Sequence, residues 1–348
     1  MRTTELAFDR PSGLQATVPA EERSGSRDAV RLLVSHPQRR SFRPFASIGE
    51  ELNAGDLLVI NRSATLPASL PARAPFGPFL LNLSTPYGRG LWLAEPRFDP
   101  ATPGPVPLRA GDRFDAGGLG ASVVAEYPGI PRLAFVRLDG DVSDAMEREG
   151  RPIRYGYVGR QFPIEAYQSV YADRPGSAEM PSAGRPFTRS LLDRLGARGV
   201  RSAAVTLHAG VSSVEIDADR VGEFPLYPEP FEVPPETVAA IDNTRARGGR
   251  VVAVGTTVVR ALESALGPCG IVATSGFARA FVRPDRPPTV ADALLTGLHD
   301  PRTSHLAMLA AFAGIDRLRA DYAAAIEARL LWHEFGDSHL IFRSRPNG

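Results

Sequence analysis

Regular alternation of helices and strands in the second half of the chain constrains its fold more than any other feature. Thr188 can cap a helix that buries a stripe of leucines, and Gly199 stands where such a helix would end. The pattern predicts strands at residues 200–207, 250–254, 277–282 and 339–342, and helices at residues 235–247, 257–266, 290–298, 304–312 and 316–332. Such alternation predicts an α/β fold with a mostly parallel sheet covered by helices.

A different pattern precedes this region. Residues 55–61 form a turn and an apolar run, which predict a buried strand. Residues 62–139 are rich in Pro and Gly and show no helical period of useful length. Short strand candidates lie at residues 79–83, 91–95, 121–126 and 133–138. We therefore predict a small β-barrel domain at residues 62–139, inserted into a discontinuous α/β main domain of residues 1–61 and 140–348.

Composition limits the chemistry that the chain can perform. Of its 348 residues 43% are hydrophobic, so substantial cores are expected. Its one cysteine, Cys269, excludes an internal disulfide and a cysteine-based metal cluster. All 40 basic residues are arginines, which excludes a lysine Schiff base. No apolar signal stretch or membrane-length run is present, and we expect a cytoplasmic monomer that does not bind membranes.

Arginines are concentrated in residues 145–205, although the formal charge of the whole chain is only +1. This segment holds ten arginines and six acidic residues. They include Arg151, Arg154, Arg160, Arg185, Arg189, Arg194, Arg198 and Arg201. Such a stripe could follow a nucleic-acid backbone, and it could equally be a solvated helix-and-loop surface.

The strongest local motif joins an apolar strand at residues 251–254 to a helix through Gly255, Thr256 and Thr257. This turn places free N–H groups and two hydroxyls at a helix N-terminus, where a carboxylate, phosphate or polarised oxygen binds well. Arg260 and Glu263 lie three residues apart on one face of the same helix. Strand–turn–helix junctions of this kind also occur as purely structural joints, so both interpretations stay open.

Two further segments carry candidate polar groups. His208 ends a predicted strand, where it could serve as an acid or base or could merely cap the strand end. Tyr167, Gln168 and Tyr171 could stack on and bind a base, although the tyrosines could equally pack in a core. Four histidines near the C-terminus lack the spacing of a metal site, so we predict no metal. They are His299, His305, His333 and His339.

In their order along the chain, these segments resemble the S-adenosylmethionine:tRNA ribosyltransferase-isomerase family of queuosine biosynthesis. The resemblance covers nearly the whole chain and rests on short motifs in a specific order. They lie at residues 22–27, 55–61, 167–171, 181–184, 205–210, 254–264 and 292–296, at His299 and Pro301, and at residues 311–314 and 335–337. The family implies an α/β domain with an inserted small β-barrel.

The resemblance also implies an activity. Enzymes of this family transfer the ribosyl moiety of S-adenosylmethionine to a deazaguanine base in tRNA and isomerise it, with release of adenine and methionine. We therefore expect S-adenosylmethionine as co-substrate, tRNA as a partner and no metal. Candidate catalytic residues are His208, Glu263 and His299. Candidate substrate-binding residues are Arg27, Asn61, Gln168, Tyr171, Ala183, Gly184, Arg185, Gly255, Thr256, Thr257 and Arg260.

Several segments depart from the family pattern. Arg185-Pro186 stands where the family has Leu-His, and residues 152–157 replace a Met-Pro-Leu-Pro-Pro-Tyr element. Residues 210–214 replace Gly-Ala-Gly-Thr-Phe. These changes leave two alternatives, a diverged paralogue that uses S-adenosylmethionine on a small molecule or nucleoside, and a non-catalytic adenosyl-binding protein. Because Pro186 restricts the residue before it, we expect Arg185 to be extended and to hold a carboxylate or phosphate.

Overall fold

The computed structural model describes residues 1–211 and 215–343, so Ser212, Ser213 and Val214 of the altered turn lie outside the described residues. The helices are α1 Ala20–Ser24, α2 Val142–Glu149, α3 Arg189–Ala197, α4 Pro235–Ala246, α5 Thr256–Ser264, α6 Ser304–Ala313 and α7 Ile315–Glu327. The strands are β1 Arg31–Ser35, β2 Arg40–Pro44, β3 Leu57–Asn61, β4 Ser63–Thr65, β5 Ser69–Ala74, β6 Gly77–Pro86, β7 Leu91–Arg97, β8 Arg113–Ala116, β9 Leu119–Glu126, β10 Ala134–Asp139, β11 Arg174–Ser177, β12 Arg201–Leu207, β13 Glu229–Val233, β14 Val251–Val254, β15 Leu266–Gly267, β16 Gly270–Ile271, β17 Thr274–Ala278, β18 Ala293–Gly297 and β19 Ser338–Phe342.

Nine strands form the main sheet, in the order β17-β13-β12-β3-β14-β18-β19-β1-β2. The four strands β12, β3, β14 and β18 are parallel neighbours, and β1 is parallel to β19. The other four pairs of the sheet are antiparallel. Four adjacent carboxyl ends therefore meet at one edge, which is where α/β proteins commonly bind ligands.

Helices cover both faces of this sheet because its central strands are apolar on both sides. Leu57 and Val59 of β3 pack into one hydrophobic cluster with residues of α5 and α6. Leu58, between them, packs on the opposite face with Leu191 and Leu195 of α3. The predicted start of α3 is confirmed, since the Thr188 hydroxyl accepts a hydrogen bond from the Leu191 N–H.

The inserted β-barrel is also present. Strands β10-β7-β6-β5-β8-β9 close into a six-stranded barrel with its own apolar interior. The barrel interrupts the main sheet between β3 and β12, which are neighbours in space. The predicted α/β fold with an inserted small barrel is therefore confirmed, and the predicted domain boundaries stay a prediction.

The helix predicted at residues 290–298 is wrong. Residues Ala293–Gly297 form strand β18, between β14 and β19. Leu294 and Leu295 are buried in clusters on opposite faces of the sheet. A short run that is apolar on every side gives no period from which a strand and a helix can be distinguished. The strand predicted at residues 277–282 begins and ends earlier, at Thr274–Ala278.

Candidate active site

A cavity of about 990 Å³ lies between the carboxyl edge of the parallel strands and the barrel. The sheet contributes the ends of β14 and β18 and the residues that follow them, and the barrel contributes Glu95, Arg97 and Arg132. Residues around Tyr155 and Glu334 line a further side. The volume lies at the upper end of the range of about 300–1,000 Å³ that is usual for small-molecule sites.

Helix α5 points its N-terminus into this cavity. Gly255, between β14 and α5, has φ 103°, which favours glycine, and a Cβ there would lie 3.4 Å from the Ala183 side chain. Gly255, Thr256, Thr257 and Ala183 all line the cavity. Since the first N–H groups of an α-helix have no partner within the helix, they can bind a ligand oxygen here.

Asn61 ends β3 directly beneath this turn. Its side chain donates a hydrogen bond to the Leu207 carbonyl at 2.8 Å and accepts one from the Leu207 N–H at 3.0 Å. It also donates to the Thr257 hydroxyl at 3.2 Å. Asn61 is 2% exposed. It therefore joins β3 to β12 and orients Thr257, while its predicted contact with substrate stays a prediction.

His208 lies beyond the cavity wall. Its Nδ1 is 2.8 Å from the Ser63 hydroxyl, which in turn is 2.7 Å from the Ser177 hydroxyl. Its ring also packs on Gly176, where an added Cβ would be 2.4 Å from Nδ1. Burial lowers the pKa of His208. Gly255, Thr256 and Thr257 line the cavity, whereas His208 is absent from the lining formed by the described residues.

The two charged residues of α5 face different surroundings. Arg260 forms an ion pair with Glu229 and donates to the carbonyls of Tyr227 and Ala278. Glu263 accepts hydrogen bonds from the backbone N–H groups of residues 289 and 290, at 2.7 and 2.9 Å. These contacts hold the segment that leads into β18. Arg260 borders a small neighbouring pocket, whereas Glu263 is outside the lining of both pockets among the described residues.

His299 is the predicted catalytic residue that does line the cavity. Its Nε2 is 2.8 Å from the Thr296 hydroxyl, and its ring stacks on that of His305 with centroids 4.6 Å apart. Burial, followed by the charge of His305, lowers the pKa of His299 well below its usual range. Burial also lowers the pKa of His305 to about 4. Both imidazoles are therefore neutral at physiological pH.

Three predicted binding residues lie behind the cavity wall. Arg27 is 3.2 Å from the Glu21 carboxylate and donates to the Gln168 carbonyl. The Gln168 side chain bonds both backbone groups of Thr65, at 2.9 and 2.8 Å. Tyr171 packs so closely on Gly184 that an added Cβ there would lie 1.7 Å from its hydroxyl oxygen. These contacts shape the wall, and their roles in substrate binding stay predictions.

The expectation of an extended Arg185 is wrong. Its backbone is helical, with φ −60° and ψ −39°, because it ends a short helix at Ser182–Gly184. The side chain is buried, donates to the Ala166 carbonyl at 2.7 Å and pairs with Glu21 at 2.8 Å. Its guanidinium also lies 5.0 Å from the centre of the Phe335 ring. The carboxylate that Arg185 holds therefore belongs to the protein itself.

The sequence interpretation missed one side of the cavity, where two tyrosines meet two glutamates. The Tyr157 hydroxyl donates to Glu334 at 2.5 Å, and the Tyr155 hydroxyl donates to Glu179. The Tyr157 ring stacks on His333, with centroids 4.0 Å apart. A signal was available, since Tyr155 and Tyr157 lie in the segment that departs from the family pattern. Nothing in the sequence placed that segment beside residues 333–334.

Residues 1–211 and 215–343 offer neither a metal site nor a membrane-spanning helix. In this part of the chain no group of three or more His, Cys, Asp or Glu side chains is arranged to hold a metal ion. None of its helices has the length and apolarity needed to cross a membrane.

The fold and the site define an α/β protein with a small-molecule cavity between its sheet and an inserted barrel. Residues 3–341 match the model of the family described as queuosine biosynthesis protein. An S-adenosylmethionine:tRNA ribosyltransferase-isomerase of Anaeromyxobacter dehalogenans is 38% identical over 351 residues, covering 99% of this chain and 100% of that protein. The chain belongs to the queuosine biosynthesis protein family, which confirms the resemblance seen in its motifs.

Two further relatives agree. A Thermus thermophilus protein with the same name is 38% identical over 333 residues, covering 92% of this chain and 95% of that protein. The crystal structure of an S-adenosylmethionine tRNA ribosyltransferase from Thermotoga maritima matches with a TM-score of 0.55 and 30% identity. That match covers 97% of this chain and 100% of the Thermotoga chain.

Proposed function

We propose that the protein transfers the ribosyl moiety of S-adenosylmethionine to a deazaguanine base in tRNA and isomerises it, with release of adenine and methionine. One observation carries the proposal: full-length similarity to proteins named S-adenosylmethionine:tRNA ribosyltransferase-isomerase. The cavity at the carboxyl edge of the sheet supports it, because it is large enough for a small-molecule co-substrate.

In this proposal, a carboxylate or a ribose oxygen of S-adenosylmethionine lies at the N-terminus of α5. The N–H groups of the first helical turn and the hydroxyls of Thr256 and Thr257 can donate hydrogen bonds to a carboxylate or a ribose oxygen there. Asn61 keeps Thr257 in a fixed orientation. Because these donors are held by the fold, little ordering is required when the ligand binds.

His299 is the candidate proton acceptor. The sulfonium of S-adenosylmethionine acidifies the adjacent ribose carbon, so one base can begin the reaction. His299 lines the cavity, and its neutral imidazole can accept a proton, although the lowered pKa makes it a weak base in the unliganded protein. The Thr296 hydroxyl, 2.8 Å from Nε2, fixes the ring orientation. Glu263 and His208 are less suitable, since other described groups occupy both side chains.

A second candidate function is a reaction with a different acceptor. Tyr155 and Tyr157 line the cavity, and they lie in the segment that replaces the family's Met-Pro-Leu-Pro-Pro-Tyr element. Arg185-Pro186 stands where the family has Leu-His. Arg185 is paired with Glu21 and is absent from the cavity lining formed by the described residues. A changed wall favours a changed acceptor, such as a free nucleoside or another small molecule.

One experiment separates these functions. The protein is incubated with S-adenosylmethionine alone, with tRNA carrying the aminomethyl-deazaguanine base, and with the free nucleoside. Adenine and methionine are then measured by chromatography. Release that depends on the modified tRNA supports the main proposal, and release that depends on the nucleoside supports the second. If neither acceptor stimulates release, transfer to tRNA and transfer to the nucleoside are both wrong, which favours a non-catalytic binding protein.

Replacing both cavity threonines is expected to weaken S-adenosylmethionine binding. The double substitution Thr256→Val and Thr257→Val removes two hydroxyls at constant size, and we expect affinity to fall at least tenfold, about 1.4 kcal/mol. Calorimetry measures this directly. Thr244→Val is the matched control, because Thr244 is buried on α4 and bonds the Ala240 carbonyl. Unchanged affinity in a folded double variant contradicts this placement of the ligand.

A further inference from the structure

Glu334 occupies an unusual position in the cavity lining. The Tyr157 hydroxyl donates to its Oε2 at 2.5 Å. Burial raises the pKa of Glu334, and the one cation whose charge opposes this effect is Arg185. Arg185 is already paired with Glu21. In the described part of the chain Glu334 forms no ion pair, so its negative charge lacks a counterion there.

Arginines elsewhere in the lining do not supply that counterion either. Among the residues that the structure describes, seven acidic residues and four arginines line the cavity. Each arginine is paired with an acidic residue of the same lining: Arg10 with Asp300, Arg97 and Arg132 with Glu95, and Arg302 with Glu215. Glu334 stands outside these pairs. The excess of negative charge disfavours a phosphate and favours a cation in this cavity.

Two tyrosines lie near Glu334, since burial and then the charge of Glu334 raise the pKa values of both Tyr157 and Tyr167. The Tyr157 ring stacks on His333 with an interplanar angle of 12° and on Tyr155 with one of 22°. Tyr167 is 3% exposed and lines the cavity, yet its hydroxyl has no hydrogen-bond partner among the described residues. A buried hydroxyl without a partner is costly and indicates a site that a ligand atom completes. Tyrosine rings also attract organic cations.

From this geometry we infer that Glu334, Tyr157 and Tyr167 form a subsite for a positively charged group of a substrate. The inference rests on the proposed function, which offers two organic cations. One is the sulfonium and ammonium portion of S-adenosylmethionine, and the other is the primary ammonium of the aminomethyl base. Bound there, the cation takes the place of the missing counterion, and the Tyr167 hydroxyl gains a partner.

Glu334→Gln tests the inference, because glutamine keeps the shape of the side chain and an acceptor for Tyr157 while removing its charge. Calorimetry with the full chain measures the affinity for S-adenosylmethionine. A second titration uses the free aminomethyl-deazaguanine base and the same base with an uncharged methyl group. We expect Glu334→Gln to reduce the affinity for at least one of the two cations tenfold or more and to leave the affinity for the uncharged base unchanged. The cation whose affinity falls is the one that the subsite binds.

The pH dependence of binding provides an independent measurement. A cation beside Glu334 favours the ionised carboxylate, so the affinity of the unaltered protein for the cation should fall as the pH is lowered through the pKa of Glu334, and Glu334→Gln should not show this fall. Glu165→Gln is the matched control, since Glu165 is exposed and lies outside the cavity lining of the described residues. Thermal unfolding verifies that each variant folds, and Tyr157→Phe provides a second variant with the carboxylate intact.

The outcomes separate the two proposals. Unchanged affinity for both cations in Glu334→Gln, with the unaltered protein binding them, overturns the subsite and leaves the proposed function intact. If the unaltered protein binds neither S-adenosylmethionine nor the aminomethyl base, the proposed function and the subsite are both wrong. A loss of cation affinity in Glu334→Gln that Glu165→Gln does not share supports the subsite.

Discussion

Arg185→Ala is expected to lower the free energy of unfolding by about 3 kcal/mol. The side chain is 2% exposed, and its removal leaves the Ala166 carbonyl without its donor and leaves Arg27 as the remaining ion-pair partner of Glu21 among the described residues. Glu21 is 36% exposed on its side chain, so solvent recovers part of that loss. Removal of the Arg185 side chain also leaves an empty space beside the Phe335 ring. Chemical denaturation followed by circular dichroism measures the change.

Two controls make this prediction specific. Arg189→Ala removes an exposed arginine four residues later and should change the free energy of unfolding by less than about 0.5 kcal/mol. Glu21→Gln should destabilise less than Arg185→Ala, because glutamine keeps an acceptor for the guanidinium. An Arg185→Ala variant as stable as Arg189→Ala, with weaker S-adenosylmethionine binding, would restore Arg185 to the ligand site and contradict the structural role.

Binding of tRNA is expected to weaken about a hundredfold or more between 50 and 200 mM salt. The exposed arginines of the 145–205 segment are the candidates for phosphate contacts, and about five such contacts produce an effect of this size. They are Arg148, Arg151, Arg160, Arg174, Arg189, Arg194 and Arg198, of which Arg148 and Arg160 also pair with Asp144 and Glu22. Arg185 is not among them, since it is buried and paired. Filter binding over a salt series measures the slope.

The triple substitution of Arg189, Arg194 and Arg198 by alanine tests which residues make the contacts. All three are exposed on α3 or at its C-terminal end. Each lost phosphate contact should reduce the slope of the logarithm of the binding constant against the logarithm of the salt concentration by about 0.9. Arg247→Ala is the single-charge control. Arg247 is exposed at the C-terminal end of α4, which packs on the opposite face of the sheet from α3. No detectable binding of tRNA at low salt would favour the small-molecule acceptor.

The sequence predicted those parts of the fold that local signals determine. Thr188 and Gly199 bound a helix because capping and left-handed backbone are properties of single residues. Strand β18 was mistaken for a helix because Leu294 and Leu295 are buried on opposite faces, which leaves no period. Arg185 was mistaken for extended because the restriction by Pro186 is a preference, and packing outweighs it.

The candidate site divides in the same way. Gly255, Thr256 and Thr257 were found because one strand, one turn and one helix contain them. The pairing of Tyr157 with Glu334 joins residues that are 177 positions apart, and it depends on how distant segments pack. Glu263 was a plausible acid by position on its helix, yet the segment it supports became visible only in three dimensions.

Insertion of the barrel between β3 and β12 has a consequence for how the chain folds. These strands pair Leu57 with Arg201, so their contact closes a loop of more than a hundred residues. The barrel strands lie between Ser69 and Asp139, and all their pairings are antiparallel and more local. A barrel that forms early draws the ends of β3 and β12 together and shortens that loop before the sheet assembles. Destabilising the barrel should therefore slow the formation of the main sheet.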